Sequence, residues 1–219
     1  MRQDRLDLFT VQDGQPEESS LKDVTDGSLA PAAVAPLLRG RFGRPYRYLE
    51  RCESTQREVP LDAPEGAVAV AEEQTEGRGR LGRAWYAPAG ASVLVSVNLT
   101  PSVETARLPE LSLVAGVAVA EAIAAVTGVR PEVKFPNDLL IDGRKVAGIL
   151  AEARDGRVVL GIGINANIPE AELPDAVDTP PTSLLAATGA PVDRGRLLAD
   201  VLAELERGYD AWVSEASGA

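Results

Sequence analysis

Apolar and polar positions along the chain fall into short strand-like runs set around two long helical stretches. Residues 46–50 alternate and read as a strand, and residues 67–73 read as a second. Ser92-Val93-Leu94-Val95-Ser96-Val97-Asn98-Leu99, rich in valine, predicts a third. Residues 108–127 form a helical run that Gly128 ends, and its centre, residues 111–120, is apolar almost all round, which predicts burial against a sheet. Two Asp-Gly pairs, Asp142-Gly143 and Asp155-Gly156, each separate apolar runs, the signature of tight hairpins. They predict a three-stranded antiparallel meander. A two-residue turn at Asp155-Gly156 sets Ile149 opposite Ile162 and Ala151 opposite Leu160 on a packed face. On the other face Gly148 meets Gly163 and Leu150 meets Gly161, leaving a floor short of side chains. Glycine weakens a strand interior, so the floor reads either as bulges and bends or as room for a ligand. The same alternation puts Lys145 on the packed face, unless a bulge near the strand start re-aims it or its side chain reaches round the sheet end.

After residue 167 comes a Pro-rich connection (Pro169, Pro174, Pro180, Pro181), then a short helix over residues 183–188 closed by Gly189. Residues 193–213 form an amphipathic helix with Leu197, Leu198, Val201, Leu202 and Leu205 on one stripe and Asp193 as its N-cap. At the other end residues 1–27 read as a polar tail, and residues 29–38 as a short helix interrupted by Pro36. Residues 39–45 form a basic connector. The organisation expected is a tail with a short helix over residues 1–45 and one domain over residues 46–219.

Composition narrows the chemistry. Hydrophobic residues at 45 % and charged residues at 25 % suit a soluble globular chain, and a net charge of −11 argues against nucleic-acid and anionic-membrane partners. The apolar run between Glu110 and Glu121 is too short to cross a bilayer. One cysteine, Cys52, and no histidine exclude an intrachain disulfide, a Cys/His zinc site and any Ser-His or Cys-His nucleophile. The N-terminus lacks the apolar core of a signal peptide, so a cytoplasmic location is expected. Too little helical sequence precedes Tyr46 for a helix-turn-helix.

A cationic heptad, Gly77-Arg78-Gly79-Arg80-Leu81-Gly82-Arg83, follows the second strand, with Trp85-Tyr86 just beyond. It reads as a solvated arginine-glycine turn or as a loop that closes over a small anion bearing a planar ring. Ser54 and Thr55 read as a helix N-cap or as hydroxyls facing that ligand.

Five segments recur in order: Glu53-Ser54-Thr55-Gln56, residues 74–83, Lys134-Phe135-Pro136-Asn137-Asp138, Lys145-Val146-Ala147-Gly148-Ile149-Leu150, and Gly161-Ile162-Gly163-Ile164-Asn165. Together they resemble the biotin protein ligases over residues 46–212. The resemblance implies an α+β fold, a mixed and largely antiparallel sheet with helices packed on one face, biotin/lipoate ligase-like. It implies ATP-dependent activation of biotin as biotinyl-5′-AMP, with Mg2+, and transfer to a lysine of a biotin carboxyl carrier protein. That chemistry rests on charge neutralisation and positioning rather than on a histidine base. By the same resemblance Ser54, Thr55, Gln56, Gln74, Arg78, Gly79 and Arg80 form the biotin pocket, over a floor containing Gly148 and Gly163. Lys145 meets the biotin carboxylate and the phosphate, and Arg80, Lys134 and Asp138 complete the catalytic set. Asp138 stands near magnesium, while Trp85, Lys134 and Asn165 are placed at the nucleotide.

The chain departs from the family at Leu81, where another arginine is common, at Phe135, where tryptophan is usual, and at Gln56, where asparagine is common. Within this sequence no counterpart of the family's small C-terminal barrel is read after the last helix, and no DNA-binding domain is expected before the first strand. A biotin or biotinyl-adenylate binding module and a lipoate or octanoate ligase or transferase therefore stand as alternatives. The resemblance leaves a homodimer through sheet edges open.

Overall fold

A computed structural model describes residues 27–60, 62–175 and 178–216. The tail expected up to residue 26 lies outside the described residues. The first helix among the described residues, α1 (Pro31–Val34), continues into a 3-10 turn at Ala35–Leu37, the interruption that Pro36 predicts. The strands β1 (Tyr46–Cys52), β2 (Val68–Gln74), β3 (Ser92–Leu99), β4 (Glu132–Lys134), β5 (Asp138–Ile141), β6 (Arg144–Arg154) and β7 (Arg157–Asn165) form one seven-stranded sheet in the order β1-β2-β3-β7-β6-β5-β4. β1 and β2 run parallel and every other pair is antiparallel, so the sheet is mixed and largely antiparallel. The other α-helices among the described residues are α2 (Thr55–Glu58), α3 (Leu111–Thr127), α4 (Leu184–Thr188) and α5 (Arg194–Ala216).

Both Asp-Gly pairs make tight turns with positive φ at each central residue, 51° and 75° at Asp142-Gly143 and 49° and 78° at Asp155-Gly156. That geometry matches the twist of the flanking strands and fixes their register. Ile149 pairs with Ile162, Ala151 with Leu160, Gly148 with Gly163 and Leu150 with Gly161, the register the turn predicts. Between β5 and β6 the register shifts: Leu139 pairs with Ala147 and Leu140 with Lys145, so Val146 is an extra residue. This bulge lets Val146 and Ala147 both enter the core while Lys145 turns to the face of Gly148.

Helices α3 and α5 cover one face of the sheet. Val93, Val95, Val97 and Leu99 of β3 join their core, together with Ile149, Leu160, Ile162 and the α5 stripe Leu197, Leu198, Val201, Leu202 and Leu205. α3 approaches closely at Gly116, where a Cβ would come within 3.0 Å of Val133. The helix is apolar nearly all round, yet it does not bury every side: Leu113 and Val117 are exposed, because the sheet and α5 cover only part of it. With the preceding 3-10 turn the helical stretch runs Thr105–Thr127, longer than the ten-residue apolar run expected and long and apolar enough by length and composition to cross a membrane, but Leu111, Ala115, Val119 and Ile123 pack in the core as in a soluble core helix. The caps expected at Gly128, Gly189 and Asp193 are formed, and Ser183 adds another. Gly128 and Gly189 end α3 and α4 in the left-handed region, Ser183 Oγ accepts from Ala186 N, and Asp193 Oδ1 accepts from Arg196 N.

Candidate active site

The face of the sheet opposite α3 and α5 carries two adjoining chambers. β1 delivers Ser54, Thr55 and Gln56 to the first, and β2 ends there at Gln74. Gly148, Gly161 and Gly163 on β6 and β7 line it too, with Arg78, Gly79 and Trp85 from the loop and Lys145. The second chamber, about 390 Å³, is lined by Arg83, Trp85, Asp138, Lys145 and Asn165, and by Asp178, Thr179 and Pro181 of the Pro-rich connection. Trp85 and Lys145 belong to both.

The end of the first chamber at β1 and β2 is a network of short polar bonds. Thr55 N and Oγ1 both donate to Gln74 Oε1, at 2.7 and 3.1 Å, and Thr55 Oγ1 shares a 2.8 Å bond with Ser96 Oγ. Gln74 therefore keeps its amide NH2 group for another partner. Ser54 occupies the N-cap position of α2, but its side chain makes no cap bond and is buried in the chamber lining. Of its two sequence readings, the one facing the cleft is the one realised.

Lys145 stands where the chambers meet. Its Nζ lies 2.7 Å from Asp138 Oδ1 and 5.3 Å from the Trp85 ring centroid. Its backbone is held as well: Lys145 N donates to Pro180 O and Thr182 N donates to Lys145 O, both at 2.8 Å. The Pro-rich connection thus pins the base of this side chain, and the bulge at Val146 aims it.

The arginine loop is closed on itself. Trp85 N donates to Gly77 O, Gly79 N donates to Arg83 O, and Arg78 and Ala84 form an isolated antiparallel bridge. At its tip Leu81 takes φ 60° and is 89 % exposed. The closure lays the Trp85 indole on the glycine floor: a Cβ at Gly148 or Gly163 would come within 2.8 or 2.7 Å of the ring. The first chamber accordingly retains only about 40 Å³.

The structure gathers most of the residues singled out in the sequence. Ser54, Thr55, Gln56, Gln74, Arg78, Gly79, Lys145, Gly148 and Gly163 line the first chamber, and Asp138 and Asn165 line the second. Arg80 lines neither. It points to the outer rim, where its Nη1 lies 3.4 Å from Asn137 Oδ1. Lys134 also lies outside, reaching the second chamber only through a 3.2 Å bond to Thr179 Oγ1. Gly161 was read only as part of the glycine floor, and Asn137, Arg83, Asp178 and Thr179 were not assigned site roles. The first three fall within the quoted segments and were within reach of sequence reasoning, whereas Asp178 and Thr179 arrive from a connection with no motif. Burial pushes the Cys52 thiol up to about 11, with the nearby Glu58 adding to it, so this cysteine stays protonated near neutral pH. Among the described residues no three His, Cys, Asp or Glu side chains form a metal-binding group.

Residues 48–168 match the model of the biotin/lipoate A/B protein ligase family. The chain is 40 % identical over 182 residues to the bifunctional ligase/repressor BirA of Bacillus spizizenii, covering 79 % of this chain and 56 % of that protein. It is 42 % identical over 152 residues to the biotin–[acetyl-CoA-carboxylase] ligase of Mycobacterium tuberculosis, covering 68 % of this chain and 56 % of that one. The chain therefore spans little more than half the length of either relative. Among solved structures, the biotin protein ligase of Aquifex aeolicus in complex with biotin and ATP superposes with a TM-score of 0.69 at 32 % identity, covering 77 % of this chain and 72 % of that one.

Proposed function

Because the chain belongs to the biotin/lipoate A/B protein ligase family, we propose that it activates biotin with ATP and passes the biotinyl group to a carrier lysine. The observation that carries this reading is the place of Lys145 in the lining of both chambers. A bicyclic ligand on the glycine floor, its ring end at Thr55 and Gln74, would bring its carboxylate to Lys145. A nucleotide in the second chamber would bring its α-phosphate to the same ammonium. A carboxylate oxygen attacks the α-phosphorus, the bond to the bridging oxygen breaks, and pyrophosphate leaves. Two anions must meet for this, and at about 4 Å in a medium of effective dielectric near 20 their repulsion is about 4 kcal/mol. Lys145 offsets it at the point of contact, and Asp138 keeps the ammonium aimed.

Trp85 has two parts in this reading. Its indole rests where the ligand rings would lie, so binding displaces it toward the second chamber, where it offers an aromatic face. The closed loop above then excludes water, which protects the mixed anhydride from hydrolysis. Mg2+ fits the site as an ion carried by the nucleotide. Asp138 offers one carboxylate in the second chamber, and magnesium held mainly by phosphate oxygens and water needs no more than one or two. When bound it would neutralise phosphate charge. In the second step a carrier lysine amine attacks the biotinyl carbonyl and AMP leaves, for which a biotin carboxyl carrier domain is the partner proposed.

Calorimetric titration separates biotin from the lipoate branch of the family. Biotin should bind and lipoate should give no heat at the same concentrations. Tighter binding of lipoate would overturn the choice of substrate.

A further inference from the structure

Gln56 holds an acceptor that nothing in the protein uses. The residue sits in the first turn of α2, 7 % exposed, in the lining of the first chamber. Its Nε2 donates to Leu150 O at 3.0 Å. That bond fixes which way the amide points, since the reverse would set two acceptors against each other. Its Oε1 is then buried with no hydrogen-bond partner. A buried acceptor left unpaired costs about 1–3 kcal/mol, so a donor on a ligand recovers more here than at a hydrated site. The neighbouring Gln74 oxygen is already engaged by Thr55.

Gly161 gives this side chain its room. A Cβ at residue 161 would lie 2.8 Å from Gln56 Nε2 and 3.4 Å from its Cδ and Cγ. Any larger residue there would lift the amide off Leu150 and turn the oxygen. We propose that Gln56 and Gly161 act as a size-matched pair that selects the ligand by accepting a hydrogen bond from a ring N–H at Gln56 Oε1. This rests on the reading of the first chamber as a biotin site. A cyclic urea carries two ring N–H donors, whereas a dithiolane or an alkyl chain carries none, so one amide contributes to rejecting lipoate and fatty acyl groups.

The test is calorimetry with biotin and with its two cyclic carbamate isosteres, in which one or the other ring N–H is replaced by oxygen. The unaltered protein should bind one isomer at least about tenfold more weakly than biotin, the loss of one hydrogen bond with an acceptor left facing an oxygen. Gln56→Met keeps length but removes the acceptor. It should weaken biotin about tenfold and bind that isomer and biotin within about threefold of each other. Gly161→Ala, checked for folding by thermal melting, should lose the same discrimination. Retained discrimination in Gln56→Met would make the amide a structural strut and overturn the inference while leaving the biotin site intact. Failure of the unaltered protein to bind biotin at all would overturn both.

Discussion

Lys145 is fixed by two backbone hydrogen bonds to the 180–182 connection and by one extra strand residue, Val146. A charge so constrained needs no reorganisation when anions arrive, which is where electrostatic catalysis gains most. Lys145→Ala should therefore cut pyrophosphate release roughly 100-fold or more while circular dichroism stays unchanged. A nearly normal rate would remove Lys145 from the chemistry. Gly148→Val should act through shape, because its Cβ alone would sit 2.8 Å from Trp85 Cζ3 and 3.3 Å from Lys145 Cε. Biotin affinity should fall about tenfold or more, the 1–3 kcal/mol typical of overpacking, and an unaltered dissociation constant would mean the glycine floor is not the binding surface. At this scale the sequence was legible wherever a turn set the register: Asp155-Gly156 alone places Gly148 against Gly163. It was less legible at Lys145, where simple alternation points to the wrong face, because a one-residue bulge between hydrophobic positions leaves no mark in an apolar pattern.

In the proposed function the arginine loop is the element on which ligand entry depends. The backbone bonds of residues 77–85 run among themselves, and their outward ties are the exposed side-chain contacts Arg80 to Asn137 and Arg83 to Asp178, so the loop can open without breaking the sheet. The chain has two tryptophans, and the other, Trp212, is buried on α5 with its Nε1 donating to Glu110 at 2.7 Å. In a Trp212→Phe background, biotin should shift the emission of Trp85 as the indole leaves the floor. Emission indifferent to saturating biotin would show that the indole stays in place and that the ligand binds elsewhere. The residues of this loop were legible as a cationic, glycine-hinged heptad. Its closure was not, since the path of the indole onto glycines 63 and 78 residues further along the chain is a tertiary fact. Arg80 and Lys134 illustrate the same limit, because motif membership placed them in the site and the backbone sets them at its edge.

The whole molecule divides its sheet into a packed face and a working face, and the ties between them set how rigid the working face is. The clearest tie is the pair of buried Arg194 and partly buried Glu72, 2.6 Å apart, in which Arg194 also donates to Ser92 O and Glu72 also accepts from Leu29 N. It joins the start of α5 to β2 two residues before Gln74. Arg194→Ala would leave the partly buried Glu72 carboxylate without its ion-pair partner, and urea unfolding should register a loss of about 1–3 kcal/mol. A loss below about 1 kcal/mol would class the pair with surface ion pairs. At this scale the sequence pattern carried the meander, the all-round apolar helix and the amphipathic last helix, while the fold class came from the resemblance of the ordered motifs. The Glu72–Arg194 tie, spanning 122 positions, had no local signature. The central claim is that the two chambers meet at Lys145 to make an acyl-adenylate, and biotin-dependent exchange of labelled pyrophosphate into ATP, with Mg2+ and no carrier protein, tests it most directly. We expect exchange that requires biotin, does not occur with lipoate, and is lost in Lys145→Ala; biotin binding without exchange would contradict the claim and leave a binding module in its place.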